Sequence, residues 1–135
     1  MPLITWDESF SLGIELIDEQ HKVWISLMNE LYDAMSQGEG WNVIKKVLTG
    51  MHEYTEFHFS TEEKYFEKFD YPEKDQHENI HKKFIDKLHE FEDQFSKDDT
   101  TLTSEVMEFM KEWLINHIQV VDRRYVDFFH EHGVE

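Results

Sequence analysis

A chain of 135 residues, 39% apolar and 15% aromatic, is long enough for one domain with a real core, so disorder is not expected despite its charge. The formal net charge of −17 argues against nucleic acid and against an anionic membrane surface, since both attract clustered Lys and Arg. No cysteine is present, which excludes disulfides, thiolate metal sites and cysteine nucleophiles; any metal must be held by His, Asp and Glu, a set suited to iron, manganese or zinc.

Only five Gly and two Pro punctuate the chain, and no alternating β pattern or repeat is visible, so long helices are expected. Residues 1–17 read as an irregular arm carrying Trp6, Phe10, Leu12 and Ile14. The arm has no basic segment followed by an apolar run, and no stretch approaches the roughly 20 apolar residues of a membrane span. A cytoplasmic protein is therefore expected. Asp18 is the expected N-cap of a first helix running to about Gln37, where Gly38 and Gly40 interrupt. A second helix is expected from about Trp41 to Lys68. After the turn Asp70-Tyr71-Pro72, a third should start at Pro72 and run to about Ser96. Lys97 to Thr101 reads as a polar loop, and a fourth helix as about Leu102 to His130. The short connections imply an all-α, up-down-up-down four-helix bundle forming one domain over 1–135.

Each helix carries an apolar stripe at spacings of three and four. The stripes are Ile17, Trp24, Met28, Leu31 and Met35; Ile44, Val47, Met51, Tyr54, Thr55, Tyr65, Phe66 and Phe69; Phe84, Leu88, Phe91 and Phe95; and Val106, Met110, Trp113 and Leu114. His21, His58, Glu62, His77, His81 and His117 interrupt them where Leu would be expected. A buried imidazole or carboxylate is costly unless paired or coordinated, and bundles build metal sites from polar ligands on several walls. His58 and Glu62 are four apart, as are His77 and His81, which places each pair about 40° apart on successive turns. The same phase rejects decoys. His52 and Glu56 repeat the spacing, but their face, continued through Phe59 and Glu63, lies off the stripe; Glu78, His89, His130 and His132 also fall outside it.

Asp122 follows His117 by five residues, which a regular helix places about 140° away. Continuing the α spacing would bury Arg124, whereas a one-residue slip turns Asp122, Tyr125, Val126 and Phe129 inward. A π-turn between 117 and 122 is therefore expected.

The segments Asp18-Glu19-Gln20-His21-Lys22, His58-Phe59-Ser60-Thr61-Glu62-Glu63, His77-Glu78-Asn79-Ile80-His81 and Trp113 through Asp122 resemble the hemerythrins, most closely the single-domain bacterial type. The resemblance spans the chain. It implies two non-haem iron ions, oxo- or hydroxo-bridged: His77, His81 and His117 on one, His21 and His58 on the other, Glu62 and Asp122 shared. It implies reversible dioxygen binding for storage, transport or delivery, rather than enzymatic turnover, with dioxygen at the less coordinated iron and a separate oxygen-accepting protein as partner. A di-iron peroxidase or oxidase, oxygen or iron sensing with a partner, and iron buffering are the alternatives. Phe59, Trp113, Ile118 and Trp24 are the expected walls of the oxygen pocket. Trp24 stands where the family often has a smaller aliphatic residue, so it either gates the pocket or fills core volume. Gln20 is positioned to orient a ligand histidine.

Overall fold

The computed structural model describes residues 4–134, and within them not the side chains of Gln119 and Val121. Four helical rods form the bundle, and the described residues contain no strand. Helix α1 spans Glu15–Ser36. Rod α2 is α-helical over Gly40–Tyr54, π-helical over Thr55–Phe59 and α-helical again over Ser60–Phe69. Helix α3 spans Lys74–Ser96. Rod α4 is α-helical over Leu102–Glu112, π-helical over Trp113–Val121, 3₁₀ over Asp122–Tyr125 and α-helical over Val126–Glu131.

The apolar stripes face inward as the periodicity requires, but they do not make one core. One buried cluster holds Trp24, Met28, Met51, Tyr54, Phe84, Phe91, Val106, Trp113 and Ile118 among others. A second holds Leu12, Ile14, Ile17, Phe66, Tyr71, Tyr125 and Phe129. Between them lies a layer of buried His, Glu and Asp. The chain order shows why: His21 falls between Ile17 and Trp24, Glu62 between Phe59 and Phe66, and Asp122 between Ile118 and Tyr125.

The arm closes the second cluster with Leu12 and Ile14. Near its start, Ile4 N–H donates to Asn29 Oδ1 and Asn29 Nδ2 donates back to Ile4 O. At its other end His130 Nε2 donates to Gly13 O at 3.0 Å.

Two expected boundaries are corrected. Asp18 does not cap α1, which starts at Glu15 after Ile14. It sits inside the helix and reaches back to accept Leu12 N–H at 2.8 Å and Ser11 Oγ–H at 2.6 Å, so it fastens the arm instead. Pro72 lies in the turn before α3 rather than in its first position. That turn belongs to the end of α2. Asp70 adopts a left-handed conformation (φ 54°), Tyr71 N–H bonds Phe66 O at 2.9 Å, and the Tyr71 and Phe66 rings stack at 4.8 Å. These are the bonds and the apolar contact of a Schellman motif, which stops α2 and delays α3.

Candidate metal centre

Two π segments place the polar side chains. In α4, Asp122 N–H bonds His117 O, five residues back, and this turns the Asp122 carboxylate onto the same interior as the His117 ring. The expected slip is present, but it occupies all of Trp113–Val121 rather than one turn. Beyond it Asp122, Tyr125 and Phe129 are buried and Arg124 is exposed.

The π segment of α2 was not expected. Its signal is in the sequence: Tyr54, His58, Glu62 and Phe66 are all buried at consecutive steps of four. Each step overshoots a regular turn by about 40°, so an unbroken α-helix would carry the stripe round by about 120°. The π turn absorbs the drift. It also corrects the face assigned to Phe59 and Glu63. His52 and Glu56 remain exposed, but Phe59 is buried and Glu63 is half-buried, with its carboxylate 3.0 Å from His81 Nδ1.

The structure brings the sequence-selected residues into two groups of metal-type ligands. Glu62, His77, His81 and His117 form one, and His21, His58 and Asp122 the other; all are buried, with ligand atoms within 4.8 Å of one another in each group. The Asp122 carboxylate spans both. Its Oδ2 lies 3.0 Å from His21 Nε2 and 3.1 Å from His58 Nε2, while its Oδ1 lies 3.0 Å from His77 Nε2 and 2.9 Å from His117 Nε2. Glu62 Oε1 spans them as well, 3.2 Å from His58 Nε2 and 2.9 Å from His81 Nε2.

The contacts of His21 and His58 with Asp122 Oδ2 and of His81 with Glu62 Oε1 are aligned hydrogen bonds, whereas those of His77 and His117 with Asp122 Oδ1 and of His58 with Glu62 are not. His77 Nε2, His117 Nε2, Asp122 Oδ1 and Glu62 Oε2 are buried without an aligned partner. Such orphans are costly in a core. Within each group the ligand atoms converge within 4.8 Å of one another, as in a ligand set, and nitrogen with carboxylate oxygen suits a first-row divalent cation.

The electrostatics agree. Burial and the neighbouring Asp122 push Glu62 up, but His58, His77 and His81 outweigh them and hold it at about 2. Burial raises Asp122 too, yet His117, His21 and His58 keep it well below the carboxylate range. Burial lowers His77, but the Asp122 and Glu62 carboxylates win and raise it to about 10. His81 is also raised against its burial, by Glu62 and Glu63. At His21 and His117 burial prevails and lowers the value. The layer thus holds two anions that attract positive charge, protons in the absence of a cation.

Aromatic rings wall the layer. Phe59 stacks on His81 at 3.8 Å and Trp113 on His117 at 3.7 Å. Ile118 is fully buried in the same apolar cluster. Trp24 stands one ring further out, 4.8 Å from Tyr54 and 6.4 Å from Trp113, with its indole N–H donated to Met110 O at 3.2 Å. Tyr54, read only as a stripe residue, stacks on His58 at 4.9 Å. Gln20 Oε1 accepts from His58 Nδ1 at 2.7 Å.

The model of the hemerythrin HHE cation-binding domain matches residues 12–129. A bacteriohemerythrin of Pseudomonas aeruginosa is 33% identical over 127 residues, covering 94% of this chain and 82% of that protein. One of Clostridium acetobutylicum is 30% identical over 129 residues, covering 93% of this chain and all of that protein. The crystal structure of a hemerythrin single-residue variant superposes with a TM-score of 0.82 at 27% identity, covering 94% of this chain and 97% of the other.

Proposed function

Because the chain belongs to the hemerythrin family, we propose that it binds dioxygen reversibly at a non-haem pair of iron ions, for oxygen storage, transport or delivery in the cytoplasm. The observation that carries this reading is the Asp122 carboxylate, which offers one oxygen to His21 and His58 and the other to His77 and His117. A carboxylate so placed suits two cations side by side. We assign His77, His81 and His117 to one ion, His21 and His58 to the other, and Glu62 and Asp122 to both. The second ion then has one histidine fewer, which leaves room for a small ligand.

When bound, the two ferrous ions supply the electrons that dioxygen draws on and returns. The chain's own part is to hold and to exclude. Five neutral imidazoles and two carboxylates would leave a diferrous pair with a small net positive charge inside the core. Phe59, Trp113 and Ile118 keep water from the layer, and Trp24 backs Tyr54 and Trp113. Water exclusion slows loss of the bound gas and autoxidation.

The test is a cycle. The reduced, colourless iron-loaded protein is exposed to air, the visible charge-transfer band is recorded, and oxygen is then removed. The reading predicts disappearance of the band and recovery of the starting spectrum over repeated cycles. Irreversible conversion to the ferric form, with consumption of added reductant on each exposure, would identify a redox enzyme instead.

A further inference from the structure

The outer ring nitrogens of the histidines are held differently on the two sides of the centre. His81 Nδ1 faces the Glu63 carboxylate at 3.0 Å, across the α2–α3 contact. His58 Nδ1 faces the Gln20 side-chain oxygen at 2.7 Å, across the α1–α2 contact. His21 Nδ1 and His117 Nδ1 are buried with no partner among the described residues.

The proton directions in both contacts are determined. Thr61 Oγ–H donates to Phe57 O at 2.6 Å, so its oxygen is left to accept. It accepts from Gln20 Nε2 at 3.0 Å, which fixes the amide with its oxygen toward His58. His58 therefore carries a proton on Nδ1, and with a cation in the layer it would present the Nε2 lone pair inward. A Glu63 carboxylate can only accept, so it calls for the same Nδ1–H on His81. Both residues thus orient a ligand ring, but with unequal force. A carboxylate pulls on the Nδ1 proton through a charge-assisted bond, which makes the imidazole a stronger donor to a cation; a neutral amide pulls less. A stronger donor favours the more highly charged state of the ion it holds.

We propose that Glu63 and Gln20 are positioning residues that give the two irons different reduction potentials, so that the ion on the His77–His81–His117 side is the more easily oxidised. This rests on the di-iron reading above. It assigns a purpose to Glu63, which the regular-helix phase had placed on a solvent face, and it gives the pair a built-in direction: the ion with the spare position is the one that better retains its ferrous state.

The experiment uses the full chain with Glu63→Gln and Gln20→Glu, singly and together. The two one-electron potentials are measured by spectroelectrochemistry on iron-loaded protein, and the His81 and His58 Nδ1–H proton resonances by NMR on diamagnetic zinc-loaded protein. Glu63→Gln should shift one equilibrium about tenfold toward the ferrous form, about 59 mV for one electron, and Gln20→Glu should shift the other about tenfold toward ferric. In the parent the His81 proton should lie further downfield than that of His58, and the double variant should reverse the order. Unmoved potentials in iron-loaded variants would overturn the proposal. If Glu63→Gln loses iron, an unmoved potential in Gln20→Glu is sufficient to overturn it. Failure of the parent to take up iron would instead overturn the di-iron reading, and this assignment with it.

Discussion

Replacement of Asp122 by Asn tests the charge economy of the polar layer without changing its volume. In the metal-free protein Asp122 stands within 2.9–3.1 Å of His21, His58, His77 and His117. It is also the nearest support for the proton that His77 holds up to about 10. Removing the carboxylate leaves a buried imidazolium with Glu62 as its remaining anion. Breaking a buried pair by removing one partner costs about 3–5 kcal/mol; the shared Glu62 places the expected loss near the lower end, about 3 kcal/mol. The loss has a defined pH window. Asp122 has a depressed pKa, so its contribution is present above the unfolded carboxylate value and falls away as pH drops below it. His77 has a raised pKa, so its contribution is full below its ordinary value of 6.5 and disappears as pH rises toward about 10. The gap between parent and variant should therefore be widest between about pH 4 and 6.5 and narrow toward pH 10. Urea unfolding followed by circular dichroism, with chelator present, measures it. A gap below about 1 kcal/mol at pH 5.5, or one that widens above pH 7, would refute the reasoning.

Two further outcomes are expected. His58→Ala should lower bound iron while His52→Ala leaves it unchanged, because His58 is fully buried in the layer and His52 is exposed beside Glu56; iron analysis after desalting decides, and the reverse pattern would defeat the phase argument. Loading a divalent cation at pH 7 should release protons, since His77 and His81 are raised and must be deprotonated to ligate; titration calorimetry in two buffers of different ionisation enthalpy should show net release, and buffer-independent heats would contradict the electrostatics.

What could be read from the sequence depended on whether a wrong register would bury a charge. The slip in α4 was legible because the α spacing would have buried Arg124. The slip in α2 was not, because either register offers a plausible mixture: the regular helix puts Phe59 and Glu63 outside with His52 and Glu56, a face already polar. Only the run of fours from Tyr54 to Phe66 betrays it. Glu63 was missed for that reason alone. Asp18 was misread because an acidic residue at the head of an apolar period looks like a cap, whereas its carboxylate is used by the arm's backbone at Leu12. Pro72 was misplaced because the Schellman bonds that end α2 run one residue past Asp70, and nothing about Asp70 advertises a left-handed conformation as Gly would.

The polar layer also explains how four amphipathic rods find one register. An all-apolar seam tolerates sliding by a turn, since one Leu-sized residue replaces another. Here every rod reads apolar, polar, apolar: Ile17, His21, Trp24 on α1; Phe59, Glu62, Phe66 on α2; Tyr71, then His77 and His81, then Phe84 leading into and along α3; Ile118, Asp122, Tyr125 on α4. Sliding any rod by one turn, about 5.4 Å, would press an imidazole or a carboxylate against Trp24, Phe84 or Phe66 and strip the other rods of their counter-charges. That costs several kcal/mol per stranded group, comparable to the whole stability of a small domain. The residues that we assign to the cation are therefore also the ones that specify the bundle's alignment, in the way a single buried polar position fixes the register of a coiled coil. The site comes into being with the register, and a chain aligned wrongly by one turn has neither.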